Sequence, residues 1–227
     1  MNIHQLDIAI FGGGITGLWT LARLRRAGYR VALFERRAIG GIQSIASQGI
    51  IHGGTKYALT GRLTGSAMAI GAMPGIWRAA LDGTGEVDLR GVRVLASHQH
   101  LWSTGSLASG MAGFFAGKVM HSRMQPLARE EFPPPFDTPA FRGSLYRLEE
   151  PVLDPRSLAA TFLERYGDTC HRLEEVPRFG RAPAGWRFEL PSGDSVEARA
   201  LVLAAGRGNA ELLDRLGRDA PKMQVRP

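Results

Sequence analysis

The hexapeptide Gly12-Gly13-Gly14-Ile15-Thr16-Gly17 constrains this chain more than any other segment. Ahead of it, residues 6–11 form a short apolar run that ends at glycine, which reads as a buried parallel strand. Behind it, Ile15, Leu18, Leu21, Ala22 and Leu24 recur at helical spacing over residues 15–27. Arg23, Arg25 and Arg26 sit where cations suit a helix dipole, and Gly28 ends the pattern. Residues 29–34 read as a second strand, followed at once by Glu35. Residues 6–35 are therefore predicted to be a β-α-β unit carrying G-x-G-x-x-G at Gly12, Gly14 and Gly17, with an acidic residue closing the second strand.

Each glycine has a distinct chemical task in such a unit. Gly12 permits the tight turn, Gly14 lets a pyrophosphate approach the backbone, and Gly17 lets helix and strand pack closely. The first helical N–H groups, with the dipole behind them, suit an anion, which makes Gly13, Ile15 and Thr16 binding candidates as well. Glu35 can accept hydrogen bonds from an adenosine ribose, which favours an unphosphorylated 2′-hydroxyl. The bland reading, a tight turn beside a solvated glutamate, leaves the coincidence of strand, loop, helix, strand and acid unexplained. The fingerprint alone leaves FAD and NAD both open.

After Glu35 the chain enters a glycine- and serine-rich loop rather than an immediate second crossover. The loop includes Gly40-Gly41, Ser44, Ser47-Gln48-Gly49, Ile51-His52-Gly53-Gly54 and then Lys56-Tyr57. This sequence resembles the D-amino-acid oxidase superfamily of flavoenzymes, within it the branch of glycerol-3-phosphate dehydrogenase and the 2-hydroxyglutarate oxidases. Val152-Leu153-Asp154-Pro155 resembles that family's return to its cofactor domain. Glu174-Glu175-Val176 resembles its next strand, and residues 201–206 resemble the apolar strand ending in Ala205-Gly206 beside the dinucleotide.

The resemblance implies an α/β fold: a Rossmann-like FAD-binding domain from residues 1–81 and 150–227, with part of an α+β substrate domain at 82–149. It implies FAD as cofactor, with Arg36, Ser44, Ser47, Gln48, Gly49, His52, Val176, Ala205 and Gly206 joining the glycine loop and Glu35 as cofactor contacts. It also implies catalytic roles for His52 and Lys56. His52 is open to three readings: beside the flavin, bonded to it, or a plain loop histidine. Lys56 could steady a reduced flavin or a substrate anion, or be a solvated lysine. The implied reaction oxidises a small hydroxy acid, polyol phosphate or amine by hydride transfer to the flavin, with oxygen or a quinone as final acceptor. Family members run longer, so the resemblance also implies that this chain corresponds to their N-terminal part. The alternative is a truncated, non-catalytic dinucleotide-binding module.

Elsewhere the pattern is coarser. Residues 58–81 are predicted helical with a break near Pro74, 92–102 a strand, 106–130 one or two helices, and 144–149 a strand. Asp154-Pro155 starts a helix through Tyr166 that Gly167 closes. Residues 185–190 and 195–203 pair across Ser192-Gly193-Asp194, and the apolar residues 200–204 enter a buried sheet. Trp77, Trp102 and Trp186 are expected in the core or at an interface, and Trp19 partly exposed. His98 and His100 share a strand face, but no carboxylate or cysteine stands at ligand spacing, so no metal is expected. The single cysteine, Cys170, is read as packing, and a lone cysteine points to a reducing, cytoplasmic setting.

The net charge of +7 invites thoughts of nucleic acid. Of the 28 basic residues, however, 25 are arginines scattered along the whole chain without a dense run, so no nucleic-acid partner is expected. No apolar stretch reaches the roughly 18–20 residues a spanning helix needs, and peripheral contact with a membrane surface remains compatible with the charge.

Overall fold

The computed structural model describes residues 3–54, 69–103 and 124–221. In chain order the strands are β1 (Ile3–Phe11), β2 (Val31–Glu35), β3 (Val94–Ala96), β4 (Gln99–Ser103), β5 (Met124–Pro126), β6 (Ser144–Leu148), β7 (Val152–Leu153), β8 (Cys170–Arg172), β9 (Gly180–Ala182), β10 (Gly185–Glu189) and β11 (Ser195–Leu203). The helices are α1 (Ile15–Arg26), α2 (Met73–Leu81), α3 (Pro155–Tyr166) and α4 (Asn209–Arg215). They fall into two compact units. Unit 1 comprises Met1–Ser47, Glu86–Gly91 and Pro155–Pro227, and unit 2 comprises Gln48–Gly85 and Val92–Asp154.

Unit 1 is built on a six-stranded sheet of order β8-β2-β1-β11-β10-β9. The first four strands are parallel, and β10 and β9 continue antiparallel from β11. The predicted β-α-β unit is present as β1-α1-β2. The first strand starts earlier than the apolar run suggests, because His4 and Gln5 find ladder partners in Val196 and Glu197.

Period-two alternation places Ala9 and Phe11 on one face of the sheet with Ala32, Phe34, Phe188 and Val196. There Phe11 stacks on Phe34 at 5.4 Å, and Phe188 meets both edge-on at 5.1–5.2 Å. Helix α1 buries Gly17, Leu18, Leu21 and Ala22 along one stripe and lies against α3, whose Phe162 has no exposed surface. Burying each such large side chain contributes about 1.5–3 kcal/mol. Gly28, at φ +88°, turns the chain out of α1 as expected.

Unit 2 holds the two-stranded sheet β3-β7, the three-stranded sheet β4-β6-β5, and α2. Helical residues 69–71 precede α2, the helix breaks at Ala72, and Pro74 lies in the first turn of α2, where its missing N–H costs nothing. The helical stretch is thus interrupted just before Pro74 as expected; residues 58–68 lie outside the described residues.

Five expectations need correction. Residues 92–102 are not one strand: Ser97 and His98 break the run, and β3 and β4 join different sheets. Of the predicted helical stretch 106–130, residues 106–123 lie outside the described residues, and the remainder is β5 followed by a single 3-10 turn at Arg129–Glu131. Residues 174–176 are not a strand. The parallel strand is β8, four residues earlier, because the ladder with β2 runs from Cys170 to Arg172 and stops as β2 stops at Glu35. In β11 the buried half is the first, with Ser195, Val196 and Ala198, whereas Ala200 is exposed and Leu201–Leu203 only half-buried. β10 flanks β11 only as far as Ala198. Trp19 is partly exposed as expected, while Trp102 is exposed beside Phe136 and Phe141 instead of buried.

Candidate functional site

The three fingerprint glycines meet different neighbours. Gly12 sits at φ +117°, and a Cβ there would lie 2.5 Å from the backbone of Ala204 and Ala205. A Cβ on Gly17 would lie 1.9 Å from the Gly12 carbonyl oxygen. Packing within the protein therefore forbids a side chain at both positions. Gly14 differs: its φ is −76°, and a Cβ there meets only Ser44 Oγ, at an ordinary 3.4 Å. The fold has no need of glycine at 14, and the space a side chain would take stays open in front of the α1 N-terminus.

Groups of the right chemistry surround that space. Glu35 receives the Gly13 N–H on Oε2 and the Arg37 N–H on Oε1, each at 2.7 Å. A carboxylate offers about four acceptor sites, so capacity remains for a diol. Ser44 Oγ accepts the Ile15 N–H at 2.9 Å, which leaves its own hydroxyl proton to donate outward. Ser47 Oγ donates to the Ser44 carbonyl at 2.8 Å and steadies that turn. Arg36 pairs with Glu211 of α4 at 2.9 Å in an exposed geometry. Gly206, at φ +58°, is approached by Gln43 Oε1. Thr16 is exposed at the start of α1.

The structure thus gathers Gly12–Gly17, Glu35, Arg36, Ser44, Ala205 and Gly206 at the carboxyl ends of the parallel strands β1, β2 and β11, where ligands bind in such sheets. Val176 is buried in the aromatic face of the sheet with Phe11 and Phe34. Sequence reasoning missed Asn209. It accepts the Ala205 N–H at 2.8 Å and donates to the Leu203 carbonyl at 3.2 Å, fixing the turn after β11. An Asn shortly beyond the last strand was its only signal.

Gln48, Gly49 and His52 belong to unit 2. Gly49, at φ +70°, could carry no Cβ, since one would stand 1.9 Å from the Leu153 carbonyl oxygen. This close approach lets the Gly49 carbonyl take the Leu153 N–H at 2.9 Å, and the Ile51 N–H reaches the Pro151 carbonyl at 3.0 Å. The loop is thereby laid antiparallel along β7. Farther along it, the Gly53 N–H donates to Glu150 Oε1 at 2.7 Å, and His52 Nδ1 lies 3.3 Å from Glu150 Oε2. Gln99 Nε2 donates to the same Oε2 at 3.3 Å. The Glu150 side chain is 6% exposed and that of His52 67%. Glu150 is the second residue that sequence reading passed over. Lys56 lies outside the described residues.

The rings of His98 and His100 meet edge-on at 5.0 Å, and burial, helped by His98 and Arg147, holds His100 below the usual imidazole range. Among the described residues no group of three His, Cys, Asp or Glu side chains is placed to hold a metal ion. Burial pushes the Cys170 thiol up to about 11, which makes it a poor nucleophile. Among the described residues no helix is long and apolar enough to cross a membrane.

A glycine-loop β-α-β unit on a parallel sheet, with an acidic residue closing its second strand and room for a Cβ at Gly14, is the arrangement of a dinucleotide-binding protein. The family profile described as DAO, FAD dependent oxidoreductase, matches residues 7–227. The chain belongs to that family of FAD-dependent oxidoreductases. It is 48% identical over 224 residues to the probable FAD-dependent oxidoreductase PA4991 of Pseudomonas aeruginosa, covering 97% of this chain and 56% of that protein. The crystal structure of PA4991 superposes with a TM-score of 0.77 at 39% identity, over 99% of this chain and 54% of that one. Glycine oxidase from Geobacillus kaustophilus shares the fold with a TM-score of 0.68 at 20% identity, over 94% of this chain and 59% of that one. So does iminodiacetate oxidase from Chelativorans sp. BNC1, with a TM-score of 0.68 at 15% identity, over 92% and 58%. The chain spans a little over half the length of these relatives.

Proposed function

We propose that this chain binds FAD across the Gly12–Gly17 loop and serves in the oxidation of a small substrate bearing a CH–OH or CH–NH group. The observation that carries the reading is the contrast among the glycines: Gly12 and Gly17 are required by the fold, Gly14 only by something that must come close to the backbone. FAD, when bound, supplies the acceptor for a hydride from the substrate carbon. The chain's own residues bind and orient. The α1 N-terminus and the Ser44 hydroxyl hold the pyrophosphate, and Glu35 takes the ribose hydroxyls. Arg36, Val176, Ala205 and Gly206 border the adenosine half. Ser47, Gln48, Gly49 and His52 serve as further cofactor contacts, with His52 and Lys56 acting in catalysis.

Both substrate classes are kept for a reason. The loop through Ile51-His52-Gly53-Gly54 resembles that of hydroxy-acid and polyol-phosphate enzymes. Two of the solved structures that share the fold are named as a glycine oxidase and an iminodiacetate oxidase. Oxygen or a quinone would take the electrons onward.

Titration of FAD into the purified chain tests the cofactor. Gly14→Ala is expected to weaken FAD binding at least tenfold, about 1.4 kcal/mol. The apo melting temperature should stay within about 2 °C of wild type, because the fold leaves room for that methyl and ~0.5 kcal/mol is the most it should cost. Wild-type affinity in the variant overturns the assignment. The alternative outcome is a dinucleotide-binding module without turnover. A yellow protein whose flavin is not bleached by any hydroxy acid, amine or polyol phosphate would favour it.

A further inference from the structure

We propose that Glu150 is a positioning residue for His52, holding the neutral imidazole as its Nδ1–H tautomer so that Nε2 is the ring's acceptor atom.

Donors and acceptors around one carboxylate decide the tautomer. Oε1 receives the Gly53 N–H at 2.7 Å. Oε2 lies 3.3 Å from both Gln99 Nε2 and His52 Nδ1. A carboxylate only accepts, so the Nδ1 contact is favourable when Nδ1 carries the hydrogen. A neutral imidazole has one N–H, and Nε2 is then left with its lone pair. In water the opposite tautomer prevails, so the protein must impose this one.

The carboxylate can impose it because its position is over-determined. Its own backbone N–H is tied to the Leu148 carbonyl at 2.7 Å. The side chain is buried, and Gly53 lets Oε1 approach: a Cβ at 53 would stand 3.2 Å from that oxygen and 3.3 Å from Pro74 Cγ. The preceding residue makes the contrast. Glu149 is partly exposed and pairs with Arg78 and Arg147 at the surface, whereas Glu150 is turned inward onto the loop that carries His52. The imidazole itself is 67% exposed, which keeps Nε2 open to a bound group.

This deepens the proposed function and, in its chemical consequence, rests on it. If His52 faces the substrate, a bare Nε2 selects a group with a hydrogen to give, a hydroxyl or an amine N–H, over a carboxylate. The X–H proton would pass to Nε2 while the electron pair stays on X. The resulting imidazolium would carry its charge against Glu150.

The test is read without FAD and without turnover. Nitrogen-15 histidine labelling of the 227-residue chain, with long-range proton–nitrogen spectra at a pH where imidazoles are neutral, reports which ring nitrogen is protonated. The difference spectrum with His52→Asn assigns the signals. Wild-type His52 is expected to show a protonated Nδ1 and a bare Nε2.

In Glu150→Gln the amide oxygen stays with the Gly53 N–H, and the NH2 group replaces Oε2. Nδ1 must then accept, and the two nitrogens exchange their shifts. A wild-type His52 in the Nε2–H form, or spectra identical in Glu150→Gln, overturns the proposal. Should Glu150→Gln fail to fold, the wild-type spectrum decides alone. FAD titration is a separate readout, so loss of the cofactor reading would leave the tautomer result standing, and the reverse.

Discussion

Substituting alanine for Gly17 adds one methyl group, and the structure gives its cost. The new Cβ would sit 1.9 Å from the Gly12 carbonyl oxygen, 3.1 Å from its carbon and 3.4 Å from Leu33 Cδ1. Contacts to a Cβ below roughly 3.0 Å essentially do not occur, so α1 and the loop must separate by more than 1 Å. Neither can yield locally, because the obstacle is backbone and the stripe of Leu18, Leu21 and Ala22 behind it is at most 2% exposed. Overpacking of this kind costs about 1–3 kcal/mol, and often more where backbone must move. Alanine's better helix propensity returns at most about 1 kcal/mol. Because the obstacle is backbone, the upper part of the overpacking range, about 2–3 kcal/mol, applies, and the net loss is about 1–2 kcal/mol. At roughly 2–4 °C per kcal/mol for a chain of this size, the melting temperature should fall by about 2–8 °C.

Gly75→Ala is the matched control. It lies in α2 with nothing within 4 Å of the new Cβ, and it should gain about 0.5–1 kcal/mol in its unit, a rise of about 1–4 °C. Circular dichroism melts of the apo protein compare the pair directly. A Gly17→Ala variant that melts at or above wild type would show that the close helix–strand approach does not constrain residue 17.

Two further outcomes concern titrating groups. The Arg90 side-chain and backbone donors, with Arg165 beyond, hold the Asp88 carboxyl well below the usual carboxylate range. A depressed carboxyl contributes stability above its unfolded value and loses it as pH falls toward the folded one. The stability difference between wild type and Asp88→Asn should therefore be flat from about pH 8 to pH 5 and shrink below roughly pH 4, as urea midpoints would show. A difference that grows on acidification would contradict this. Cys170, its thiol pushed up to about 11 by burial, should react with a thiol-modifying disulfide far more slowly than a free cysteine at about pH 8. Labelling at the free rate would place the thiol elsewhere.

The glycine-loop end of the candidate site was legible because it is local. The turn, the helix stripe and Glu35 lie within one β-α-β unit, and each signal is a residue type at a fixed offset. The β10–β11 hairpin was legible for the same reason, from alternation around Ser192-Gly193-Asp194. Strand β5 was hidden because Met124-Gln125-Pro126 is too short to alternate and contains a proline that edge strands tolerate. The split between β3 and β4 was hidden because both halves are strand-like, and only their partners in β7 and β6 separate them. Glu150 was invisible for a stronger reason. In sequence it is one half of an ordinary acidic pair before a proline, and its meaning comes from Gly53, 97 residues away.

The sheet of unit 1 also dictates an order of assembly. Its β1–β2 edge closes locally: Asp7 and Arg30 meet across 23 residues. Its β1–β11 edge closes across 192, the separation of Gln5 and Glu197. The second loop is about eight times longer, or about three doublings, and its closure costs roughly 2 kcal/mol more entropy. The local unit can therefore condense early, with one flank of β1 bare, while β11 arrives late and slowly. Since the backbone of Ala204 and Ala205 forms the wall against Gly12, the glycine loop acquires its final shape only at that last step. On the ribosome, the glycine loop emerges long before β11 and can hold nothing firmly until that strand has followed it out.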